Sequence, residues 1–64
     1  MNVIEFAGPR HEVEEAEAWC RRRTCEGYAV RREKCGLYYF TFICPFEAQS
    51  FRDAYREETT PIYD

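Results

Sequence analysis

The chain has 64 residues, 12 acidic against 9 basic side chains and a formal charge of −3, which confines it to one domain with a marginal core and excludes a cofactor cleft between two domains. With 45% hydrophobic and 17% aromatic residues it is too apolar for disorder, yet no run approaches the roughly 20 apolar residues of a membrane span. Met1-Asn2-Val3-Ile4-Glu5 lacks the basic and then apolar regions of a signal peptide, so the expected setting is the cytoplasm.

Val3-Ile4-Glu5-Phe6-Ala7 reads as a short strand closed by the turn pair Gly8-Pro9. A helix is expected from Arg10 or His11 to Arg23, with Val13, Ala16 and Cys20 as its apolar stripe and Trp19 on the flank. Glu12, Glu14, Glu15 and Glu17 load its first half and Arg21, Arg22 and Arg23 its last turn, an order that complements the helix dipole. Gly27 is the expected left-handed stop.

Two strands follow, Tyr28 to Glu33 and Leu37 to Ile43 or Cys44, joined across Lys34-Cys35-Gly36. A two-residue loop would pair Lys34 with Leu37 and mix charged with apolar residues on both faces. A three-residue loop with glycine in the left-handed position pairs Glu33 with Leu37. That register puts Tyr28, Val30, Tyr38, Phe40 and Phe42 on one face, interrupted only by Arg32 at the hairpin end, and Ala29, Arg31, Glu33, Leu37, Tyr39, Thr41 and Ile43 on the other, so it is preferred. A second helix is expected from Phe46 to about Glu57, with Ala48, Phe51, Ala54 and Tyr55 inward. Residues 58–64 read as a loosely ordered tail without periodicity.

The order is β-α-β-β-α within a single domain, 1–64. A right-handed first crossover puts strand 1 beside strand 3, giving a three-stranded antiparallel sheet of order 2-3-1 with two helices packed on one face. The α+β architecture leaves the other sheet face open.

No motif names a reaction. The four cysteines lack the paired knuckles of zinc ribbons, and Cys35 and Cys44 lie nearly 30 Å apart at about 3.3 Å per strand residue. Cys20, Cys25 and Cys44 can approach one another, as reduced thiols, through a disulfide or around a metal completed by another ligand. The lack of a signal peptide favours reduced thiols. His11, the single histidine, sits roughly 14–20 Å along the helix from Cys20 and Cys25, so no Cys-His dyad forms. With no glycine-rich phosphate loop and no pocket-bound carboxylate pair, the chain is expected not to be an enzyme and to hold no cofactor or metal.

Two surfaces remain as candidates for binding a partner. One is the anionic half of the first helix, Glu12, Glu14, Glu15 and Glu17, suited to a basic groove. The other is the open sheet face with Leu37, Tyr39 and Ile43, large apolar groups that need a reason to be exposed. The profile as a whole (about 60 residues, acidic, arginine over lysine, β-α-β-β-α, no catalytic signature) resembles the small anti-CRISPR proteins of phages and mobile elements in GC-rich bacteria. Among these it looks like a type I-C inhibitor built of three antiparallel strands and two helices. The resemblance implies an inhibitor that binds a CRISPR surveillance complex stoichiometrically and occupies its basic DNA channel, in the PAM-reading subunit, as a DNA mimic. Separately, the charge of −3 argues against direct nucleic-acid binding, no membrane partner is expected, and the chain is expected to be a monomer. Two alternatives stay open: a cysteine-based metal- or redox-responsive module, and a small nucleic-acid-binding accessory protein using Arg21, Arg22, Arg23, Arg31 and Arg32.

Overall fold

The computed structural model describes residues 2–62. Its elements are β1 (Asn2–Ala7), α1 (Arg10–Arg23), β2 (Tyr28–Lys34), β3 (Leu37–Phe42), α2 (Pro45–Ala54) and β4 (Thr59–Ile62). The sheet is antiparallel throughout, in the order β2-β3-β1-β4. The expected 2-3-1 arrangement is present, and a fourth strand extends it beyond β1.

That fourth strand corrects the reading of residues 58–64 as a tail. Thr59 pairs with Phe6, Thr60 with Glu5, Pro61 with Ile4 and Ile62 with Val3. The Ala7 amide donates to the Glu58 carbonyl at 2.8 Å, which anchors the start of the strand. A proline inside a short strand argues against a central position, but an edge tolerates it, because the missing N–H faces away from the ladder. Tyr63 and Asp64 lie outside the described residues.

Other boundaries move for local reasons. Helix α1 ends at Arg23 as expected, but Gly27 does not stop it. Thr24 is the C-terminal cap; its amide (2.9 Å) and its hydroxyl (2.7 Å) both donate to the Cys20 carbonyl. Gly27, with φ of 112°, instead turns the chain into β2. Helix α2 begins at Pro45, whose fixed φ suits the first helical position. It ends at Ala54 rather than near Glu57, because Tyr55 to Glu58 must turn the chain back towards β1. The Thr59 hydroxyl closes this turn by donating to the Tyr55 carbonyl at 2.7 Å.

The β2–β3 register is the preferred one over most of its length, from Tyr28 opposite Phe42 to Arg32 opposite Tyr38. Past Arg32 it slips by one residue, so that Lys34, and not Glu33, faces Leu37. The slip is a bulge between Arg32 and Lys34, and Gly36 takes the expected left-handed conformation at φ 79°. The bulge keeps the aromatic residues on one face while the turn tightens.

The core lies between the helices and that face. Ile4, Phe6, Phe40 and Phe42 from the sheet meet Val13, Ala16 and Cys20 of α1 and Ala48 and Phe51 of α2. Phe51 is its centre, with ring centroids 4.6 Å from Phe40, 5.2 Å from Phe42, 5.3 Å from Tyr55 and 5.7 Å from Trp19. Tilted and edge-on rings at these distances satisfy the aromatic quadrupoles.

Candidate functional site

The four glutamates of α1 do not form one face. At 100° per residue, the buried stripe of Val13, Ala16 and Cys20 runs between them. Glu14 and Glu17 fall on one side of it, Glu12 and Glu15 on the other. The first pair is neutralised within the helix: Arg10 Nε reaches Glu14 at 3.2 Å, and Arg21 Nη1 reaches Glu17 at 3.9 Å. Glu12 and Glu15 have no ion pair among the described residues. Four residues after them stand Ala16 and Trp19 and four before them Gly8 and His11, so the spacing that pairs the other two with arginines gives them none.

Their side of the helix faces the end of α2. Trp19 packs edge-on against Tyr55 at 6.4 Å. Burial pushes the Tyr55 hydroxyl above its ordinary range, and Glu15 and then Cys20 and Glu58 add to the effect while Arg22 opposes it. Glu15 and Glu58 therefore both act on the same hydroxyl, from α1 and from the turn before β4. Glu12 lies over Gly8, where a Cβ would come within 2.9 Å of its Oε2. The carboxylates of Glu12, Glu15 and Glu58 mark an anionic seam between the helices. Glu58 was not singled out from the sequence, since its role depends on the turn that β4 imposes.

On the other side of α1 an open groove of about 680 Å³ runs between the helix and the β2–β3 hairpin. Val13, Val30 and Tyr38 supply apolar lining, and Glu14, Glu17 and Arg32 supply charge of both signs. Cys35 lies on the groove and His11 does not.

The open sheet face carries Leu37, Tyr39 and Thr41 with Val3 and Glu5, all half-buried by one another, and the exposed Ala29 and Arg31. The pairing aligns Arg31 with Tyr39 and Tyr39 with Glu5 across three strands. Strand β3 ends at Phe42, short of the expected Ile43 or Cys44, although the Ile43 amide still donates to the Gly27 carbonyl at 3.5 Å. Ile43 is 68% exposed, and Phe46 at the start of α2 is 82% exposed. Phe46 could have been found from periodicity, because it lies well off the Ala48–Phe51 stripe.

The thiols do not converge on a site. All four cysteines are free: Cys20 is buried, Cys44 half-buried, and Cys25 and Cys35 exposed. Burial, with a smaller contribution from Glu17, pushes the Cys20 thiol up to about 12, away from reactivity. The Cys25 amide donates to a Glu47 carboxylate oxygen at 2.7 Å, which ties the loop after α1 to α2. Among the described residues no group of three or more His, Cys, Asp or Glu side chains is arranged to hold a metal. No helix is long and apolar enough to cross a membrane, again among the described residues. Comparison with family models, characterised proteins and solved structures yields no match to this chain.

Proposed function

We propose that this protein is a non-enzymatic, stoichiometric inhibitor of the anti-CRISPR kind, which occupies a basic DNA-reading groove of a CRISPR surveillance complex. The observation that carries this reading is the sorting of the α1 glutamates. A surface that imitates nucleic acid must present carboxylates free to meet a partner's arginines and lysines. Glu12 and Glu15 meet that requirement where Glu14 and Glu17 do not. Their Cβ atoms lie about 5–6 Å apart at i,i+3 spacing, and Glu58 extends the negative field across the helix seam. With a total charge of only −3, this local concentration matters more than the sum, because the effect of exposed charges decays over a Debye length of about 8 Å at physiological salt.

The test is a DNA-binding competition on a purified type I-C surveillance complex. Equimolar wild-type protein is expected to displace target DNA. The double variant Glu12→Lys with Glu15→Lys should need at least about tenfold more protein, since reversed charges meet the groove with repulsion. Glu14→Lys with Glu17→Lys reverses as much charge on the other side of the stripe and should inhibit nearly as the wild type does. Circular dichroism checks that both remain folded. Full inhibition by the Glu12/Glu15 variant would reject the anionic seam as the contact. Failure of the wild type to displace DNA would reject the inhibitor reading itself.

A further inference from the structure

We propose that the open sheet face is a self-association surface, on which a second copy of this chain docks to form a two-sheet sandwich. The proposal is independent of the inhibitor reading and rests on the pattern of charge across the sheet. Neighbouring strands bring Arg31 of β2, Tyr39 of β3 and Glu5 of β1 into one row, a cation and an anion on either side of a tyrosine, with Thr60 of β4 continuing the row beyond Glu5. Arg31 shares its face with Glu33, as their ion pair at 3.5 Å shows, while Glu5 has no ion pair among the described residues.

This row is complementary to itself. Stack two such faces about a twofold axis that runs parallel to the strands above β3. The rotation exchanges the β1 and β2 sides. Arg31 of each copy then stands opposite Glu5 of the other, twice, and Tyr39 meets Tyr39. The same operation sets Ala29 of β2 over Val3 of β1, since both are aligned with Thr41. Leu37, one step along β3, meets its own symmetry mate. Apolar groups therefore meet apolar groups along β3 and between Ala29 and Val3, Lys34 falls over Ala7 in the Leu37 row, and Glu5 of each copy reaches the Arg31–Glu33 pair of the other. An isologous interface requires this self-complementarity, and sheets pack face to face about 10 Å apart, within reach of an arginine and a glutamate. A face evolved only for exposure to water has no reason to place a carboxylate without an ion pair among the described residues symmetrically to an arginine about Tyr39.

With the axis above β3, the strands β2, β3 and β1 overlap and β4 lies outside the contact. Three strands at about 4.8 Å spacing and roughly 20 Å of strand length give about 290 Å² in projection. That is roughly a third of the ~800 Å² per partner in a standard stable interface, in the range of weak, transient contacts. The chain is therefore expected to be monomeric in dilute solution and to associate only at high concentration. The helical layer, including Glu12, Glu15 and Glu58, stays outside the interface.

Sedimentation equilibrium from about 10 μM to 1 mM tests this. The wild-type mass should rise from 7.7 kDa towards twice that value. Glu5→Arg leaves arginine on both flanks and Arg31→Glu leaves glutamate on both. Each alone should weaken association at least about tenfold. Mixed in equal amounts, the two variants restore both unlike pairs, and the mixture should associate within about threefold of the wild type. A wild-type chain that stays monomeric to 1 mM would overturn the proposal. So would association that survives both single variants, the result expected if copies join through the exposed edge of β2, and so would a mixture that fails to recover.

Discussion

The core of this domain converges on one side chain, and Phe51→Ala should remove most of its stability. A chain of this length has about 3–10 kcal/mol in total, at roughly 0.05–0.15 kcal/mol per residue. Truncating a fully buried phenylalanine to alanine costs about 3–5 kcal/mol. The upper half of that range applies, because Phe51 is completely buried and its ring touches aromatic rings from β1, β3, α1 and the α2–β4 turn. No single neighbour can move to fill the hole without leaving another contact. The loss is therefore comparable to the whole stability, and the variant should be substantially unfolded at 25 °C. Phe51→Leu keeps much of the volume and should cost about 1.5 kcal/mol, which lowers Tm by roughly 6–12 °C in a domain this small. Urea unfolding followed by Trp19 fluorescence measures both, since Trp19 packs on Phe51 at 5.7 Å. Phe46→Ala, at a phenylalanine that is 82% exposed, is the control and should stay within about 0.5 kcal/mol of the wild type. A Phe51→Ala variant that loses less than about 2 kcal/mol, or no more than the control, would refute this account of the core.

Two further outcomes follow from buried polar groups. The Cys20 thiol is pushed up to about 12 in the folded chain from an ordinary 9.0. The folded state therefore holds this proton more tightly, its stabilising effect is complete below pH 9, and it is lost as pH rises from 9 towards 12. Tyr55, also raised, acts in the same direction. Thermal melts of the wild type should lose Tm steadily above pH 9, and Cys20→Ala should show a shallower alkaline slope from a lower starting Tm; an unchanged slope would contradict the assignment. Thr59 is buried, and its hydroxyl serves only the turn into β4 among the described contacts. Thr59→Val keeps the shape and removes that donor, and should cost about 1 kcal/mol in urea unfolding, with the faster amide exchange confined to β1 and β4.

The parts of the fold that were legible in the sequence share one property: their partners are near in the chain or fixed by alternation. The β2–β3 register could be read because only one offset separates Tyr28, Val30, Tyr38, Phe40 and Phe42 from Arg31, Tyr39 and Thr41. The strand β4 could not, because Thr59 pairs with Phe6 across most of the chain, and Pro61 conceals a strand that is tolerated only at an edge. Alternation alone carries the strand through Ile43, but it ends at Phe42, ahead of the helix that Pro45 starts. The glutamate sorting, in contrast, was available in the spacing. Arg10 stands four residues before Glu14 and Arg21 four after Glu17, whereas the same steps from Glu12 and Glu15 lead to Gly8, Ala16, His11 and Trp19 and to no arginine. Counting charge along the helix hid what counting by helical turns would have shown.

The architecture also explains how so small a chain keeps surfaces to spare. Every fully buried ring lies on the helix side of the sheet, and none of the core residues comes from the open face. Folding constrains that face only to favour extended backbone and to avoid like charges side by side. It does not require Glu5 and Arg31 to flank Tyr39. Folding of α1 likewise requires its stripe and favours acid near its N-terminus, but it does not require Glu12 and Glu15 to lack the arginine partners that Glu14 and Glu17 have. The residues that hold the domain together and the residues assigned here to recognition are therefore almost disjoint. Substitutions at Glu5, Glu12, Glu15 and Arg31 should alter binding while leaving unfolding free energy within about 0.5 kcal/mol of the wild type. Substitutions in the core change both together.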